Sequence, residues 1–246
     1  MSQSGQAIRA RVSSMQPIFS AISVSPMRGF ETTPQHTADA GLTALDTLGT
    51  VCRFARNETL FSQGADLRSS FKIISGAVRL CRLTADGRRQ IAEFRVAGDF
   101  VGFEWLGHYA LTAEAVREVV AVRYARNRVD HLIEERQDVR ERVFGMLRQD
   151  LCAAQDHLIT LGCQTAKERV ASFLLQLAKR AGARDGETIE IQLGRQDIAD
   201  YLGLTLETVS RTLSELKRQG TISLPKRRQV VIRSTAKLRV QTSSIN

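Results

Sequence analysis

The stretch RQDIADYLGLTLETVSRTLSELKRQG, residues 195–220, contains two runs of helical periodicity that flank the break Gly203–Thr205. Apolar residues recur at three- and four-residue spacing through both runs, at Ile198, Leu202, Val209, Leu213 and Leu216. Such spacing places the apolar side chains of two short helices in one shared core. The stretch therefore predicts a helix-turn-helix whose second helix keeps its opposite, polar face free for a partner.

The free face of the second helix is a polar stripe at offsets of zero, three, four and seven residues, formed by Glu207, Ser210, Arg211 and Ser214. A helix fits the major groove of DNA, where side chains from its N-terminal half contact base edges. Arg211 can donate two hydrogen bonds to guanine, Glu207 can accept one from cytosine, and Ser210 can contact an adjacent base or phosphate. We therefore predict that Glu207, Ser210 and Arg211 read the DNA sequence.

A different interpretation of Glu207 and Arg211 is a surface ion pair between residues four apart, worth about 0.3 to 0.5 kcal/mol. We favour base reading, because an acidic side chain that faces a polyanion is costly unless it meets a specific hydrogen-bond donor.

Positive charge is concentrated around this stripe. The chain has 35 Lys and Arg against 26 Asp and Glu, a formal charge of +9, which favours a polyanionic partner. Downstream, Thr221–Leu224 and Val230–Ile232 flank a basic tip and predict the hairpin of a winged helix-turn-helix. The residues predicted to contact DNA phosphates are Arg195, Thr205, Lys217, Arg218, Lys226, Arg227 and Arg228.

The N-terminal half has a different pattern. Short apolar runs separated by glycines extend from Val51 to about Arg126, and Asp86–Gly87 between two such runs indicates a hairpin. This pattern predicts a small β-roll or jelly-roll barrel. Before it, residues 1–38 hold three of the four prolines without sustained periodicity and predict a flexible extension, and Leu42–Leu48 predicts a short helix.

Between the two halves, one continuous helix is predicted from about Val129 to Leu161. Its apolar residues follow alternating three- and four-residue steps, at Phe144, Leu147, Leu151, Ala154, Leu158 and Leu161. This pattern is typical of a coiled-coil seam. The alternative is an amphipathic helix packed on its own domain. We favour a dimer seam, because the helix is long and joins two halves of different composition.

Together these patterns predict an α+β protein with an N-terminal β-roll, a long dimerisation helix and a C-terminal winged helix-turn-helix. The expected segments are a flexible extension at 1–38, the β-roll at 39–128, the dimerisation helix at 129–162, the winged helix-turn-helix at 163–236 and a tail at 237–246.

In this order of elements the chain resembles the Crp/Fnr superfamily of bacterial transcription regulators, over about residues 42–233. The stretch LGRQDIADYLGLTLETVSRTLSELKRQG, together with TAKERVASFLL at Thr165–Leu175, is most similar to the FixK/FnrN branch. The resemblance implies that Glu207, Ser210 and Arg211 read TTGAT-type half-sites of a palindrome. It further implies a homodimer that binds double-stranded DNA and contacts RNA polymerase, activating genes of microaerobic growth, nitrogen fixation or anaerobic respiration.

The cysteines do not match the iron–sulfur sensor of Fnr-type members of this superfamily. Those members hold the cluster with an N-terminal group of cysteines plus one in the barrel, whereas no cysteine precedes Cys52 here and the other three are dispersed. We therefore expect no iron–sulfur cluster, no other cofactor and no metal. Cys163, between two helical stretches, is the candidate redox-active thiol, with an inert thiol as the alternative.

A small-molecule effector is not expected either. Cyclic-nucleotide binders of this superfamily bind the ribose with a Gly-Glu pair and the cyclic phosphate with an Arg-Ser or Arg-Thr pair. The chain keeps Gly102 and Glu104 but has Leu111–Thr112 where the arginine is expected, so a cyclic phosphate has no strong partner. His108 is the one histidine in the β-roll, and we assign no haem to it. The alternative function is a regulator of the same fold, gated by a small molecule in the β-roll.

Other classes of protein fit the sequence less well. A cupin-like metal enzyme requires clustered histidines, but the four histidines fall in different segments, and no nucleophile motif occurs. No run approaches the roughly 18 apolar residues of a membrane helix, and the N-terminus lacks a signal-peptide pattern. We therefore expect a cytoplasmic DNA-binding protein that is not an enzyme.

Overall fold

The structure, a computed structural model, describes residues 49–84, 86–104 and 107–242. The flexible extension predicted for residues 1–38 and the short helix predicted at Leu42–Leu48 lie outside the described residues. Within the described part of the chain, the predicted α+β fold class is confirmed, because a β-roll is followed by helices and a C-terminal helix-turn-helix.

Eight strands form the β-roll: β1 Thr50–Phe54, β2 Thr59–Phe61, β3 Ser69–Ser75, β4 Ala77–Leu83, β5 Arg89–Val96, β6 Phe100–Val101, β7 Thr112–Ala115 and β8 Val119–Ala125. They pair antiparallel in two four-stranded sheets, ordered β1-β8-β3-β6 and β2-β7-β4-β5. Inward-facing side chains of both sheets form one core, which includes Phe71, Ile73, Val78, Ala113 and Val119. The period-two pattern of the sequence therefore buries one face of each sheet.

The hairpin predicted at Asp86–Gly87 joins β4 to β5. Gly87 has φ +80°, a conformation that glycine adopts without steric cost. The connection is longer than the two-residue turn that the sequence suggests. The Thr84 amide donates to the carbonyl of Arg88 at 2.9 Å, and Asp86 accepts from the Arg88 guanidinium at 2.6 Å. These bonds hold a longer loop in place of the tight turn.

The continuous helix predicted from Val129 to Leu161 is wrong in one respect, because it is broken at Arg136. Helix α1 spans Arg126–Glu135 and helix α2 spans Gln137–Cys163. Arg136 is extended, at φ −117° and ψ 111°; its amide donates to the Leu132 carbonyl, and its guanidinium pairs with Asp138 at 2.6 Å. The break lets α1 pack Val129 against Phe100 and Tyr124 of the β-roll. Helix α2 then starts separately at Gln137.

Helix α2 has two apolar faces. With 27 residues it is about 40 Å long. One face packs on its own chain through Val139, Val143 and Thr160, which are all buried. The other face is the predicted seam, with Leu151 59% and Leu158 68% exposed. The amphipathic-helix alternative therefore describes one face of α2, and the dimer seam on the other face stays a prediction.

The C-terminal domain contains α3 Ala166–Ala181, β9 Thr188–Glu190, α4 Arg195–Leu202, α5 Leu206–Arg218, β10 Ile222–Ser223, β11 Gln229–Ile232 and α6 Thr235–Val240. Strands β10 and β11 are the predicted hairpin, and β9 joins them in a three-stranded sheet. The sequence prediction placed a tail from residue 237 onward, but α6 crosses that boundary and Leu238 is fully buried in the domain core.

The C-terminal domain packs directly against the β-roll. A single apolar cluster contains Cys81, Ile91 and Phe94 of the β-roll together with Val170 of α3 and Ile198 of α4. The position of the helix-turn-helix is therefore set by contacts within one chain.

Candidate nucleic-acid interface

The start of α5 is fixed by its own sequence. Gly203 has φ +62° and ends α4, a conformation that favours glycine. The Thr205 hydroxyl accepts a hydrogen bond from the amide of Thr208 at 3.2 Å and so caps α5, as N-terminal threonines commonly do. Thr205 was also predicted to contact phosphate; its exposed position at this terminus is compatible with both roles.

The structure brings the predicted reading residues together on one face of α5. The opposite face is buried through Val209, Leu213 and Leu216. Glu207 and Arg211 are exposed and Ser210 is half-buried. Among the described residues, no ion pair or side-chain hydrogen bond holds Glu207 or Arg211, so the alternative surface pair between them is not formed. Both side chains are available to an incoming partner.

The positively charged residues among the predicted phosphate contacts fall into two groups. Lys217 and Arg218 lie in the last turn of α5. The other group lines one side of a cleft of about 1010 Å³ between α5, the wing and the β-roll, and its members are Arg195, Lys226, Arg227 and Arg228. Ser210 lines the same cleft. No ion pair within the described residues holds Arg195 or the three wing cations. Such cations, beside a helix that presents polar side chains, are suited to bind a phosphate backbone.

The sequence patterns do not predict that the β-roll lines part of this cleft. Arg56 and Asn57, from the turn between β1 and β2, are among the residues that line it. Asn57 has φ +65°, which asparagine tolerates better than most residues. The sequence contains a turn signal at this position but nothing that relates the turn to residues more than a hundred positions downstream.

The four cysteines have different environments. Cys81 is buried, and burial raises the pKa of its thiol to about 11, which keeps it protonated at neutral pH. Burial also raises the pKa of Cys52. Cys152 and Cys163 are exposed. Cys163 is the last residue of α2 rather than part of a loop, and the break between the two helices begins at Gln164.

Several side chains of the β-roll contact one another in its interior. The Tyr109 ring stacks on Phe61 with 3.9 Å between centroids, and its hydroxyl donates to the Ser69 carbonyl at 2.6 Å. The Glu104 carboxylate accepts from the amide of Ala110. A cavity beside Glu104 measures about 10 Å³, room for about one water molecule.

No group of three or more His, Cys, Asp or Glu that is arranged to hold a metal ion occurs in the described part of the chain. No helix within residues 49–84, 86–104 and 107–242 combines the length and apolarity required to cross a membrane.

Two family models match the chain. Residues 168–240 match the Crp-like helix-turn-helix domain, and residues 51–136 match the cyclic nucleotide-binding domain. The first match contains α5 and the wing, and the second contains the β-roll from Val51 onward and all of α1. The relatives found are transcription regulators rather than enzymes.

Individual relatives support the same assignment. The chain is 43% identical over 195 residues to the nitrogen fixation regulation protein FixK of Azorhizobium caulinodans, covering 78% of this chain and 79% of that protein. It is 39% identical over 187 residues to FixK of Bradyrhizobium diazoefficiens, with 75% and 79% covered. The solved structure of FixK2 from Bradyrhizobium japonicum superposes with a TM-score of 0.76 at 33% identity, covering 80% of this chain and 99% of that one. The chain therefore belongs to the Crp/Fnr superfamily of transcription regulators, in its FixK-like branch, and carries the helix-turn-helix DNA-binding domain of that superfamily.

Proposed function

We propose that the protein is a homodimeric, sequence-specific activator that binds TTGAT-type palindromes in the cytoplasm. Its target genes serve microaerobic growth, nitrogen fixation or anaerobic respiration, and it has no iron–sulfur oxygen sensor of its own. This proposal rests on the reading stripe of α5, formed by Glu207, Ser210 and Arg211. Within the described chain the exposed Glu207 and Arg211 are free of partners. The cations of the wing, which are also unpaired there, lie beside them.

The chemistry of the stripe supports sequence reading. Arg211 carries two parallel donors that match guanine O6 and N7, and Glu207 is an acceptor for the cytosine amino group. The pair can therefore read a G·C base pair inside each half-site. Arg195, Lys217, Arg218 and residues 226–228 supply attraction to phosphates that does not depend on sequence.

The exposed leucines of α2 support a dimer. Leu151 and Leu158 are more than half exposed in the single chain, and they share a face with Phe144, Leu147, Ala154 and Leu161. A second copy of α2 would cover this face by the knobs-into-holes packing of a coiled coil. A two-fold dimer presents two identical reading helices, which is the symmetry that a palindrome requires.

Two observations support control without a ligand in the β-roll. The four thiols lie on β1, on β4 and at two positions of α2, a distribution that does not resemble the cysteine set of an iron–sulfur centre. The matched cyclic nucleotide-binding domain does not fit its ligand in this chain. The stacked rings of Phe61 and Tyr109 occupy part of the interior. The backbone amide of Gln63 donates to the Thr112 hydroxyl at 3.0 Å, at the position where a phosphate-binding arginine would be expected.

RNA polymerase is the proposed protein partner, and loops of the β-roll are candidates to contact it. Ser62 to Gly64 and Asp86 to Arg88 are exposed. Two neighbours of these loops are less suitable, because Phe61 is buried and Arg89 is held in ion pairs with α4.

Transcription in a purified system tests the proposal. With bacterial RNA polymerase and a template that carries a TTGAT palindrome upstream of the promoter, we expect the protein to increase the transcript, with no further change when cyclic AMP is added. A template with a scrambled palindrome is the control. An increase that requires cyclic AMP would favour the effector-gated alternative, and no increase on either template would contradict the assignment as an activator.

A further inference from the structure

A buried ion-pair network connects the β-roll to the first helix of the helix-turn-helix. Arg79 of β4 donates to Glu114 at 2.8 Å and to Asp197 of α4 at 3.2 Å. Arg89 of β5 donates to Asp197 at 3.0 Å and, through two nitrogens, to Asp200 at 2.9 and 2.7 Å. These five residues form the interdomain clamp. Its side chains are only 7% to 25% exposed, so water screens the charges weakly.

Asp197 also accepts a hydrogen bond from the backbone at the start of α4. Its Oδ1 accepts from both arginines, while its Oδ2 accepts from the amide of Gly194 at the start of α4 at 3.3 Å. The carboxylate thus joins the two guanidinium groups of the β-roll directly to the backbone of α4. A rotation of α4 would break bonds on both sides of this carboxylate.

Tyr201, at the other end of α4, makes a separate attachment. Its ring stacks on His157 of α2 with 4.1 Å between centroids and an interplanar angle of 7°. It also contacts Phe94 of β5 at 5.3 Å. A third attachment is the ion pair of Arg180 with Asp99 at 2.6 Å. Contacts at separated points resist pivoting, whereas one contact would permit it.

The docked arrangement leaves the DNA-reading face open. No clamp residue lies on α5, and Glu207 and Arg211 remain exposed. The clamp also neutralises Asp197 and Asp200, two carboxylates close to Arg195 that would otherwise repel phosphates. Both features indicate an arrangement that favours DNA binding rather than one that blocks it.

We propose that Arg79 and Arg89 are positioning residues for DNA recognition. Through Asp197 and Asp200 they fix the orientation of α5 relative to α2, and thereby set the distance and angle between the two reading helices of the dimer. The recognised property is the spacing between the half-sites of the palindrome. The inference rests on the proposed function.

Half-site spacing is a sensitive measure of this orientation. Each added base pair turns the second half-site by about 35° and moves it by about 3.4 Å. A rigid dimer fits one spacing and loses contacts on the others. A dimer whose helix-turn-helix domains pivot about the break at Gln164, after α2, would bind several spacings with similar affinity.

Fluorescence anisotropy on a series of duplexes tests the inference. The series holds TTGAT palindromes with a four-base-pair spacer, with spacers one or two base pairs shorter or longer, and a duplex with a single half-site, all at one salt concentration. For Arg89→Ala, we expect the preference for the best spacer over the altered ones to fall by about tenfold, the scale of coupling between contacting charges. Affinity for the single half-site should stay within about twofold of the wild type.

Three further variants sharpen the test. Asp200→Asn keeps the side-chain shape and removes the charge. If Arg89→Ala fails to fold, the spacing preference is measured on Asp200→Asn instead. Arg89→Ala/Asp200→Asn should relax the spacing preference no more than Arg89→Ala alone, because both changes remove the same contact. Arg68→Ala is the matched control, since Arg68 pairs with the nearby Asp66 at an exposed site of the β-roll and should leave the preference unchanged.

The outcomes separate the two proposals. A wild-type protein that does not distinguish the palindromes from a scrambled duplex would contradict the proposed function. A wild-type protein that selects the palindrome, with an Arg89→Ala variant that keeps the spacing preference, would overturn only the role of the clamp. Equal loss on the single half-site and on all spacers would also overturn it, because that result indicates damage to the domain itself.

Discussion

Leu151→Asp is expected to convert the protein to a monomer at micromolar concentration and to abolish tight binding to the palindrome. Leu151 lies near the middle of the proposed seam of α2 and is 59% exposed in the described structure. In a two-fold dimer the change places two carboxylates against an apolar seam, and uncompensated buried charge commonly costs about 3 to 5 kcal/mol. Association should therefore weaken by more than about 100-fold, which sedimentation velocity would measure.

Gln149→Asp is the matched control for this change. Gln149 is exposed and lies two residues from Leu151, on the opposite side of the helix, so it adds the same charge outside the seam. This variant should remain a dimer. A Leu151→Asp protein that sediments as a dimer would show that the exposed face of α2 is not the dimer interface.

Arg211→Ala is expected to cost about 1 to 3 kcal/mol of binding free energy on the palindrome, the usual value of a bidentate contact between arginine and guanine. On a scrambled duplex the loss should be smaller, because non-specific binding depends on phosphate contacts. Selectivity at the guanine position should therefore relax. Anisotropy titrations on palindromes with each base substituted at that position would measure the change.

Arg218→Ala is the control for the loss of one positive charge. Arg218 is exposed in the last turn of α5, outside the reading stripe. Its removal should weaken binding to both duplexes by a similar factor and reduce the salt dependence by about one unit of slope. If Arg211→Ala gave the same uniform loss, Arg211 would be a phosphate contact and not a base-reading residue.

Local patterns in the sequence were sufficient for much of the fold. The positive φ at Gly203 and the cap at Thr205 are local properties of a helix-turn-helix, and the spacing of Val209, Leu213 and Leu216 defines the buried face of α5. The reading stripe follows from that face by geometry alone. The strands of the β-roll were likewise visible as alternating apolar runs between glycines.

The break at Arg136 had no comparable signal. Glutamate, arginine and glutamine are all good helix formers, and neither glycine nor proline lies nearby. The break accompanies the burial of Val129 of α1 against Phe100 and Tyr124 of the β-roll, while α2 separately buries Val139 and Val143. Tertiary contacts therefore override a local preference for one continuous helix.

The interdomain clamp was equally invisible in the sequence. Arg79 and Asp197 are 118 residues apart, and Arg89 and Asp200 are 111 residues apart. On their own helix, Asp197 and Asp200 resemble ordinary charged residues of a solvated face. Their partners are known only when the fold places β4 and β5 against α4.

The most direct measurement is the affinity of the purified wild-type protein, without added effector, for a TTGAT-N4-ATCAA duplex and for a scrambled duplex of the same composition. Anisotropy would be recorded with and without reductant at one salt concentration. We expect the palindrome to bind at least about 1,000-fold more tightly, the lower range for specific over non-specific binding. Selectivity that requires reductant would assign a role to an exposed thiol, Cys152 or Cys163. Equal affinity for the two duplexes in both conditions would contradict sequence reading by Glu207, Ser210 and Arg211.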